Sequence, residues 1–165
     1  MASPQETADR KATAAAVGRI PSGLFVLTAR RGAEETGMLG SWVQQCSFDP
    51  LLVSVCVRRD RDLLAWLTPG SDFVVNVLDD TQTDMVAHFG RGFDPGQPAF
   101  EGLEVFRPGE GALVLADALA FLACRVASRH QTGDHDLLVA EVRAGRVLSA
   151  EGRPMVHVRK SGLHY

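Results

Sequence analysis

The chain of 165 residues has three cysteines, two lysines among its 17 basic residues, and no long apolar run. Three cysteines without a Cys-x-x-Cys pair exclude a disulfide framework and a thiolate zinc site. No stretch of apolar residues is long enough to span a bilayer, so we expect no contact with a membrane. Residues 1–17 lack the apolar segment of a secretory signal, which favours a protein of the reducing cytoplasm.

Charge of either sign is also limited. The formal net charge is −3 and the isoelectric point is about 5.9. A nucleic-acid-binding protein needs a basic face, so we expect no nucleic-acid partner. Hydrophobic residues make up 45% and charged residues 22% of the chain, which is ordinary for a globular domain. A chain of this length can bury a core without a metal or a disulfide.

Common catalytic motifs are missing as well. The sequence has no GxGxxG after a strand, no GxxxxGK[ST] and no GxSxG. Its histidines form neither HxH nor HExxH: His88, His130, His135, His157 and His164. His130 and His135 flank a turn, but two histidines make a poor site, so we expect no metal. His135 follows Gly133 and Asp134 at a hairpin mouth, where it either faces a ligand or is a solvent-exposed turn residue.

The remaining pattern predicts a mostly β protein with peripheral helices. Ser3, Pro4 and the alanines after them predict a helix over 3–17 that ends at Gly18. Apolar runs predict strands at 24–29, 36–43, 51–57, 73–78, 119–129, 136–148 and 155–158. Helices are predicted at 61–68, capped by Asp60, and at 81–89, followed by a long loop at 90–111. Because only two helices fall between strands, we expect an antiparallel sheet that closes into a barrel.

Two neighbouring segments contain ligand-binding chemistry. Gly37–Pro50 combines glycines, hydroxyls, amides and Trp42, which suits a planar ring with polar edges, or else a hairpin with a polar turn. Arg58-Arg59-Asp60-Arg61 precedes a predicted helix and forms either an anion site or a solvated charged turn. One strand separates the two segments, so both can lie at the same end of the sheet. A ring site beside an anion site suggests a mononucleotide such as FMN.

Several runs of the sequence resemble the flavin reductase-like, FMN-binding split-barrel family. They are 21–28 (PSGLFVLT), 37–38 (GM), Ser41, 47–57 (SFDPLLVSVCV), 73–78 (FVVNVL) and 133–135 (GDH). The resemblance covers residues 18–165 as one split-barrel domain, with 1–17 as an N-terminal helix or tail. Ser41-Trp42-Val43 and 47–50 look most like the flavin reductase module of flavodiiron proteins. We expect a stand-alone version, without the diiron and flavodoxin parts.

The resemblance also implies which residues bind the flavin. Those expected at the isoalloxazine ring are Met38, Leu39, Gly40, Ser41 and Trp42, and those expected to support the ring and ribityl chain are Cys46, Ser47 and Pro50. The phosphate is assigned to Arg58, Arg59 and Arg61, and His135 is the catalytic candidate, facing nicotinamide or flavin. The chain departs from the family at Trp42, where many members have a second serine, and at Leu51, which replaces the second proline of Asp-Pro-Pro.

By resemblance, the protein is a homodimer of antiparallel split β-barrels that acts as an NAD(P)H-dependent flavin reductase. Its cofactors are FMN, or alternatively FAD, and NADH or NADPH as hydride donor. Electrons then pass to free flavin, oxygen, or a partner such as an electron-acceptor protein or an oxygenase. Two alternatives stay open. One is an FMN-containing electron carrier without reductase turnover, and the other is a dimeric barrel that binds a ligand without redox chemistry.

Overall fold

The computed structural model describes residues 3–163 and divides them into two units, 3–22 with 156–163, and 23–155. His164 lies outside the described residues. The boundary after residue 17, drawn from the sequence, stays a prediction.

The smaller unit is built around the first helix, α1 (Pro4–Val17). Ser3 caps it in a reciprocal arrangement. The Ser3 Oγ accepts from the Glu6 N–H at 3.2 Å, and the Glu6 carboxylate accepts from the Ser3 N–H at 2.6 Å. Gly18 follows the helix, and a side chain there would come within 2.8 Å of the Arg159 carbonyl oxygen. The predicted helix and its cap are therefore confirmed.

The larger unit contains most of the strands and the second helix. In chain order the elements are β1 (Ser22–Gly23, at the boundary of the units), β2 (Phe25–Arg31), β3 (Glu34–Gly40), β4 (Val43–Phe48), β5 (Leu51–Arg58), a 3₁₀ helix (Asp62–Ala65), β6 (Asp72–Val77), α2 (Thr83–Gly90), β7 (Val105–Phe106), β8 (Val114–Leu115), β9 (Ala120–Thr132) and β10 (His135–Val147). The last strand of the chain, β11 (Val156–His157), belongs to the smaller unit.

Seven of these strands form one antiparallel sheet in the order β3-β2-β6-β9-β10-β5-β4. Its two edge strands, β3 and β4, are consecutive in the chain and are joined only by Ser41 and Trp42. Three residue steps span at most about 11 Å, so the first and last strands must meet and the sheet must curl. The predicted antiparallel split barrel is confirmed, and its seam lies at Ser41 and Trp42.

The barrel interior is filled by alternate residues of the strands. In β5, Val53, Val55 and Val57 are buried, while the residues between them are more exposed. They pack with buried side chains of the other strands, among them Leu27, Val75 and Leu138. The period of two in burial is the pattern of a strand with one face on a core. It fixes the register of β5 and so the position of the residues that follow it.

Two predictions about local structure are wrong, apart from the strand predicted over 36–43, which ends at Gly40, and the loop predicted over 90–111, which contains β7. Residues 61–68 do not form an α-helix capped by Asp60, because 62–65 form one 3₁₀ turn without a side-chain cap. Leu63, Leu64, Trp66 and Leu67 are all buried, so the segment packs into the core instead of presenting one face to it. The second error is that the sequence did not predict β4, because its exposed glutamines lack the apolar pattern of a buried strand. The predicted helix at 81–89 is confirmed as α2.

Candidate functional site

The seam of the barrel brings Trp42 to the start of β10. The Trp42 carbonyl accepts from the Cys56 N–H at 2.9 Å, and His135 is paired in register with Arg58. The indole of Trp42 and the imidazole of His135 have centroids 4.7 Å apart and planes inclined at 37°. We call the group Ser41, Trp42, Arg58, Asp134 and His135 the rim. The expectation that the two segments assigned to ligand binding lie at one end of the sheet is therefore confirmed in position for Trp42 and Arg58.

His135 presents one ring nitrogen that has no partner among residues 3–163. Its Nδ1 lies 2.8 Å from Asp134 Oδ1, while the buried Nε2 has no hydrogen-bond partner in that range. The hydrogen bond from His135 lowers the pKa of the Asp134 carboxyl, so Asp134 is ionised and can only accept. The Nδ1 atom therefore bears the hydrogen. In the neutral imidazole, Nε2 then offers a lone pair.

Ser41 adds a second buried polar atom to the rim. The residue is 4% exposed, and its Oγ has no hydrogen-bond partner among the described residues. A buried polar group without a partner costs free energy, so such atoms in a native protein mark the place of a ligand, water or ion. An imidazole nitrogen beside an indole, with a buried hydroxyl on the residue before the indole in the chain, suits a planar heterocycle with polar edges.

The first two arginines of 58–61 are paired with carboxylates. The Arg58 Nε donates to Asp60 at 2.7 Å, and the Arg59 Nε donates to Asp136 at 2.8 Å. The Arg129 Nε donates to the other Asp136 oxygen at 2.6 Å. Hydrogen bonds from Arg59 and then Arg129 lower the pKa of the buried Asp136 carboxyl. Since 62–65 form a single 3₁₀ turn, the predicted helix-start donors for a phosphate are not present.

A cleft of about 480 Å³ is lined by β3, by the start of the 3₁₀ helix and by the loop after α2. Met38 and Arg61 are the predicted site residues that line it. Thr36, Arg91 and Phe93 also line the cleft, and the sequence did not predict them as site residues. No local motif marks them, because the cleft forms only when the loop at 91–97 folds back beside β3.

The other predicted ring residues differ in their surroundings. Leu39 packs against the core cluster that contains Phe89, so its side chain belongs to the interior. Gly40 lies against the Leu27 side chain, where a Cβ would be in ordinary contact at 3.4 Å. Of the five residues at 38–42, Met38 lines the cleft and Ser41 and Trp42 lie at the rim.

Cys46, Ser47 and Pro50 lie towards the other end of the β4–β5 hairpin. Ser47 pairs with Leu52, whereas the Trp42 carbonyl bonds Cys56 four residues farther along β5. At about 3.3 Å per residue this separation is about 13 Å. Cys46 is the extra residue of a β-bulge and is exposed, and the Asp49–Pro50 peptide bond is cis. A single chain therefore does not bring these three residues to the rim.

His88, His130 and Cys124 have ordinary structural environments. The His88 Nε2 lies 2.8 Å from the Ala99 carbonyl oxygen, and the His130 Nε2 lies 3.0 Å from the Ser128 Oγ. Burial raises the pKa of the Cys124 thiol to about 12. Over 3–163, no group of three or more His, Cys, Asp and Glu side chains is placed to hold a metal ion. No helix in that range has the length and apolar character needed to cross a bilayer.

Comparison with known sequences finds one family along almost the whole chain. Residues 17–162 match the flavin reductase like domain. The chain is 42% identical over 151 residues to the putative diflavin flavoprotein A 3 of Nostoc sp., covering 91% of this chain and 26% of the relative. It is 40% identical over 151 residues, with the same coverage of 91% and 26%, to diflavin flavoprotein A 1 of Synechocystis sp.. The chain thus spans about a quarter of the length of these relatives.

Solved structures share the fold. The NADH:FAD oxidoreductase SgcE6 of Streptomyces globisporus C-1027 superposes with a TM-score of 0.80 at 27% identity, over 96% of this chain and 92% of that one. The flavin reductase of the styrene monooxygenase of Pseudomonas putida S12 gives a TM-score of 0.73 at 28% identity, over 87% and 90% of the two chains. SgcE6 has also been solved in complex with NAD and FAD fragments.

Proposed function

Because the chain belongs to the flavin reductase-like domain family, we propose that it is an NAD(P)H-dependent flavin reductase that uses FMN. The overall reaction is the transfer of a hydride from a reduced nicotinamide, NADH or NADPH, to the flavin. Electrons then pass onward to free flavin, oxygen or an acceptor protein. The names of SgcE6 and of the diflavin flavoproteins support the nicotinamide and the flavin, respectively.

The observation that supports this proposal most directly is the rim itself. Trp42 offers an aromatic surface, and Ser41 Oγ and His135 Nε2 are buried polar atoms without partners among the described residues. A flavin ring combines an extended aromatic surface with N–H and C=O groups at its edge, so the residues present fit it. A purely apolar ligand would leave both polar atoms unsatisfied.

The residues of the rim bind and orient, and none needs to transfer a proton in the hydride step. A bound flavin supplies the two-electron chemistry, and the protein sets its position and electrostatic surroundings. We assign Trp42 to contact the face of a bound ring and Ser41 to hydrogen-bond its polar edge. The His135 Nε2 accepts from an N–H of flavin or nicotinamide, and Asp134 holds the imidazole in the tautomer that makes this possible.

A homodimer is part of the proposal because an apolar surface is exposed at the turn between β4 and β5 and at the end of β10. Phe48 is 90% exposed, Leu51 45% and Val147 65%. Leu51 and Val147 line one shallow groove with apolar side chains of β9 and β10. Exposed large apolar side chains that cluster are typical of an interface. A second copy covering this surface would also bring its own Cys46, Ser47 and Pro50 towards an interface.

Anaerobic titration of the purified protein tests the function. The protein with FMN should lose its yellow flavin absorbance when NADH or NADPH is added, with multiple turnovers once an electron acceptor is present. Bleaching by neither nicotinamide would contradict a reductase. A flavin that bleaches once and does not turn over with any acceptor would indicate an electron carrier. A colourless protein that binds no flavin would support the remaining alternative, a barrel that binds a ligand without redox chemistry.

A further inference from the structure

Asp136 is a buried carboxylate that the proposed function does not use. It is 2% exposed and follows His135 in β10. We propose that Asp136 is a positioning residue, whose ion pair with Arg59 holds the turn that directs the His135 Nε2 towards a ligand. This inference rests on the proposed function, because that function assigns the His135 Nε2 to ligand binding. It gives Arg59 a role other than the phosphate contact expected from the sequence.

The carboxylate of Asp136 lies among apolar side chains at one end of the barrel. Leu138 and Ala140 follow Asp136 at the period of two of a strand, and both are buried. The register partner of Asp136 on β5 is Val57, which is buried as well. A buried ion pair often contributes no more net stability than apolar side chains of similar size. Stability alone therefore does not account for a carboxylate at this position.

Arg59 binds the residues on both sides of His135. Its backbone N–H donates to the Asp134 carbonyl oxygen at 3.0 Å, and its Nε donates to the Asp136 Oδ1 at 2.8 Å. One residue thus restrains the chain before and after the imidazole. Successive side chains of a strand point to opposite faces. An Asp136 side chain that is held inward therefore keeps His135 on the other face, where its ring contacts Trp42.

Arg129 attaches the same carboxylate to the core. Its Nε donates to the second Asp136 oxygen at 2.6 Å, and its Nη1 donates to the Leu64 carbonyl oxygen at 2.9 Å. Leu64 belongs to the 3₁₀ helix and is 3% exposed. Each oxygen of Asp136 thus has its own arginine donor, so the orientation of the carboxylate is fixed as well as its charge.

The hydrogen bond between Asp134 and His135 is by itself a weak restraint on the ring. The Asp134 side chain is 84% exposed, so water competes for its carboxylate. The loop between β9 and β10 has only two residues, Gly133 and Asp134. The ion pairs of the buried Asp136 are shielded from this competition. They therefore supply the restraint that keeps the His135 Nδ1 on Asp134 and leaves the Nε2 as an acceptor.

The first test measures the tautomer of His135 in the purified protein, before flavin is added. Long-range ¹H–¹⁵N NMR at about pH 8, where an ordinary histidine is neutral, distinguishes the two ring nitrogens. His135→Gln identifies the signals of His135 among those of the five histidines. We expect the wild type to have its hydrogen on Nδ1, and Asp136→Asn and Arg59→Gln to show a mixture of both tautomers. Unchanged tautomers in both variants would overturn the proposal.

Arg125→Gln is the matched control for Arg59→Gln. It removes the same charge from an exposed arginine of β9 that pairs with Asp72. We expect its His135 signals to match those of the wild type. A mixture of tautomers in Arg125→Gln as well would show that any lost ion pair disturbs the ring, and it would overturn the specific role of Asp136.

The second test is a double-mutant cycle on the binding of riboflavin, FMN and NAD⁺, measured by calorimetry. His135→Gln shows which of these ligands the imidazole contacts. We expect Asp136→Asn to weaken the same ligand about three- to tenfold, the contribution of one hydrogen bond, and to have no further effect when His135→Gln is already present. A merely structural residue would weaken binding equally in both backgrounds, and that result would overturn the proposal. His135→Gln that weakens no ligand would overturn it as well.

A variant that does not fold leaves the test intact. Arg59→Gln retains the pair between Arg129 and Asp136, so it replaces Asp136→Asn in the cycle if circular dichroism melts show that Asp136→Asn is unfolded. A loss in Arg59→Gln that falls on FMN and spares riboflavin would assign Arg59 to the phosphate and overturn its role beside His135. Neither test requires turnover, so a wild type that reduces no flavin contradicts the proposed function and leaves these results intact.

Discussion

The indole of Trp42 and the imidazole of His135 lie 4.7 Å apart between centroids, although one residue ends the barrel seam and the other begins β10. The contact exists because the edge strands β3 and β4 meet. Their meeting places Trp42 next to the paired strands β5 and β10. His135 is 7% exposed as a result. Its buried Nε2 is thus oriented by an aromatic neighbour on one side and by Asp134 on the other.

Replacement of Trp42 should change the environment of a bound flavin. We expect Trp42→Phe to shift the visible circular dichroism bands of FMN and to weaken FMN binding several-fold, because an indole covers more of a ring than a benzene does. The chain has two tryptophans, and Trp66 is 6% exposed in the core. Trp66→Phe is therefore the control and should leave the FMN bands unchanged. Identical spectra for wild type and Trp42→Phe would place the flavin away from the rim.

The sequence predicted the fold well because most barrel strands have a local pattern of apolar residues that marks them. Leu51–Arg58 is a run of apolar and β-branched residues between turn signals, and it forms β5 as predicted. Ser3, Pro4 and the alanines after them predicted the first helix, which begins at Pro4. By contrast, β4 is a polar edge strand with a bulge at Cys46, so it lacks the apolar pattern that marks the others.

The candidate site was predicted less completely because its geometry depends on contacts between distant residues. The motif at 133–135 indicated His135, but nothing local shows that its Nε2 is buried beside Trp42. The carboxylate partner of Arg59 is Asp136, which lies on another strand, so the arginine run alone looked like an anion site. No local pattern marks Arg91, because it lines the cleft only when the loop after α2 folds back towards β3.

The ion pairs of Asp136 should make stability depend on pH. Arg59 and Arg129 lower the pKa of Asp136 in the folded state, so the folded protein binds its proton more weakly than the unfolded chain. The contribution to the free energy of unfolding is fully present above the ordinary aspartate pKa of about 3.9. It is lost as pH falls through the lower folded-state value.

We therefore expect Asp136→Asn to unfold at a lower urea concentration than the wild type, by a margin that is constant above about pH 5 and shrinks as pH falls below about 4. Urea denaturation of both proteins across this range measures the margin. Asp60, Asp72 and Asp134 also have lowered pKa values, but they are present in both proteins and cancel in the difference. A margin that does not change with pH would show that the charge of Asp136 contributes nothing.

Phe48 should be central to association of two chains. Its side chain is 90% exposed at the end of β4, and truncation of a buried interface aromatic usually weakens binding by about tenfold or more. We expect Phe48→Ser to shift the protein from dimer to monomer in light scattering at a fixed micromolar concentration. Val156→Ser is the control, because Val156 is 66% exposed but belongs to the smaller unit. A monomeric wild type, or a Phe48→Ser variant that stays dimeric, would contradict the proposed interface.

The cysteines should differ in reactivity towards iodoacetamide. Cys46 is exposed, whereas burial raises the pKa of Cys56 and raises that of Cys124 to about 12. At pH 8 only roughly one Cys124 in ten thousand is a thiolate, so mass spectrometry should find the first label on Cys46. Cys46→Ser should abolish this fast labelling. Equal labelling of Cys46 and Cys124 would contradict the burial of Cys124.

The same reaction tests the role in flavin binding that the sequence assigned to Cys46. Cys46 lies in a bulge about 13 Å along the hairpin from Trp42, at about 3.3 Å per residue, so a flavin at the rim of the same chain would not cover it. Protection of Cys46 by saturating FMN should therefore require a dimer, in which a second copy supplies this residue. We expect FMN to slow labelling in the wild type and to have no effect in monomeric Phe48→Ser. Labelling that FMN leaves unchanged in both proteins would remove Cys46 from the flavin site.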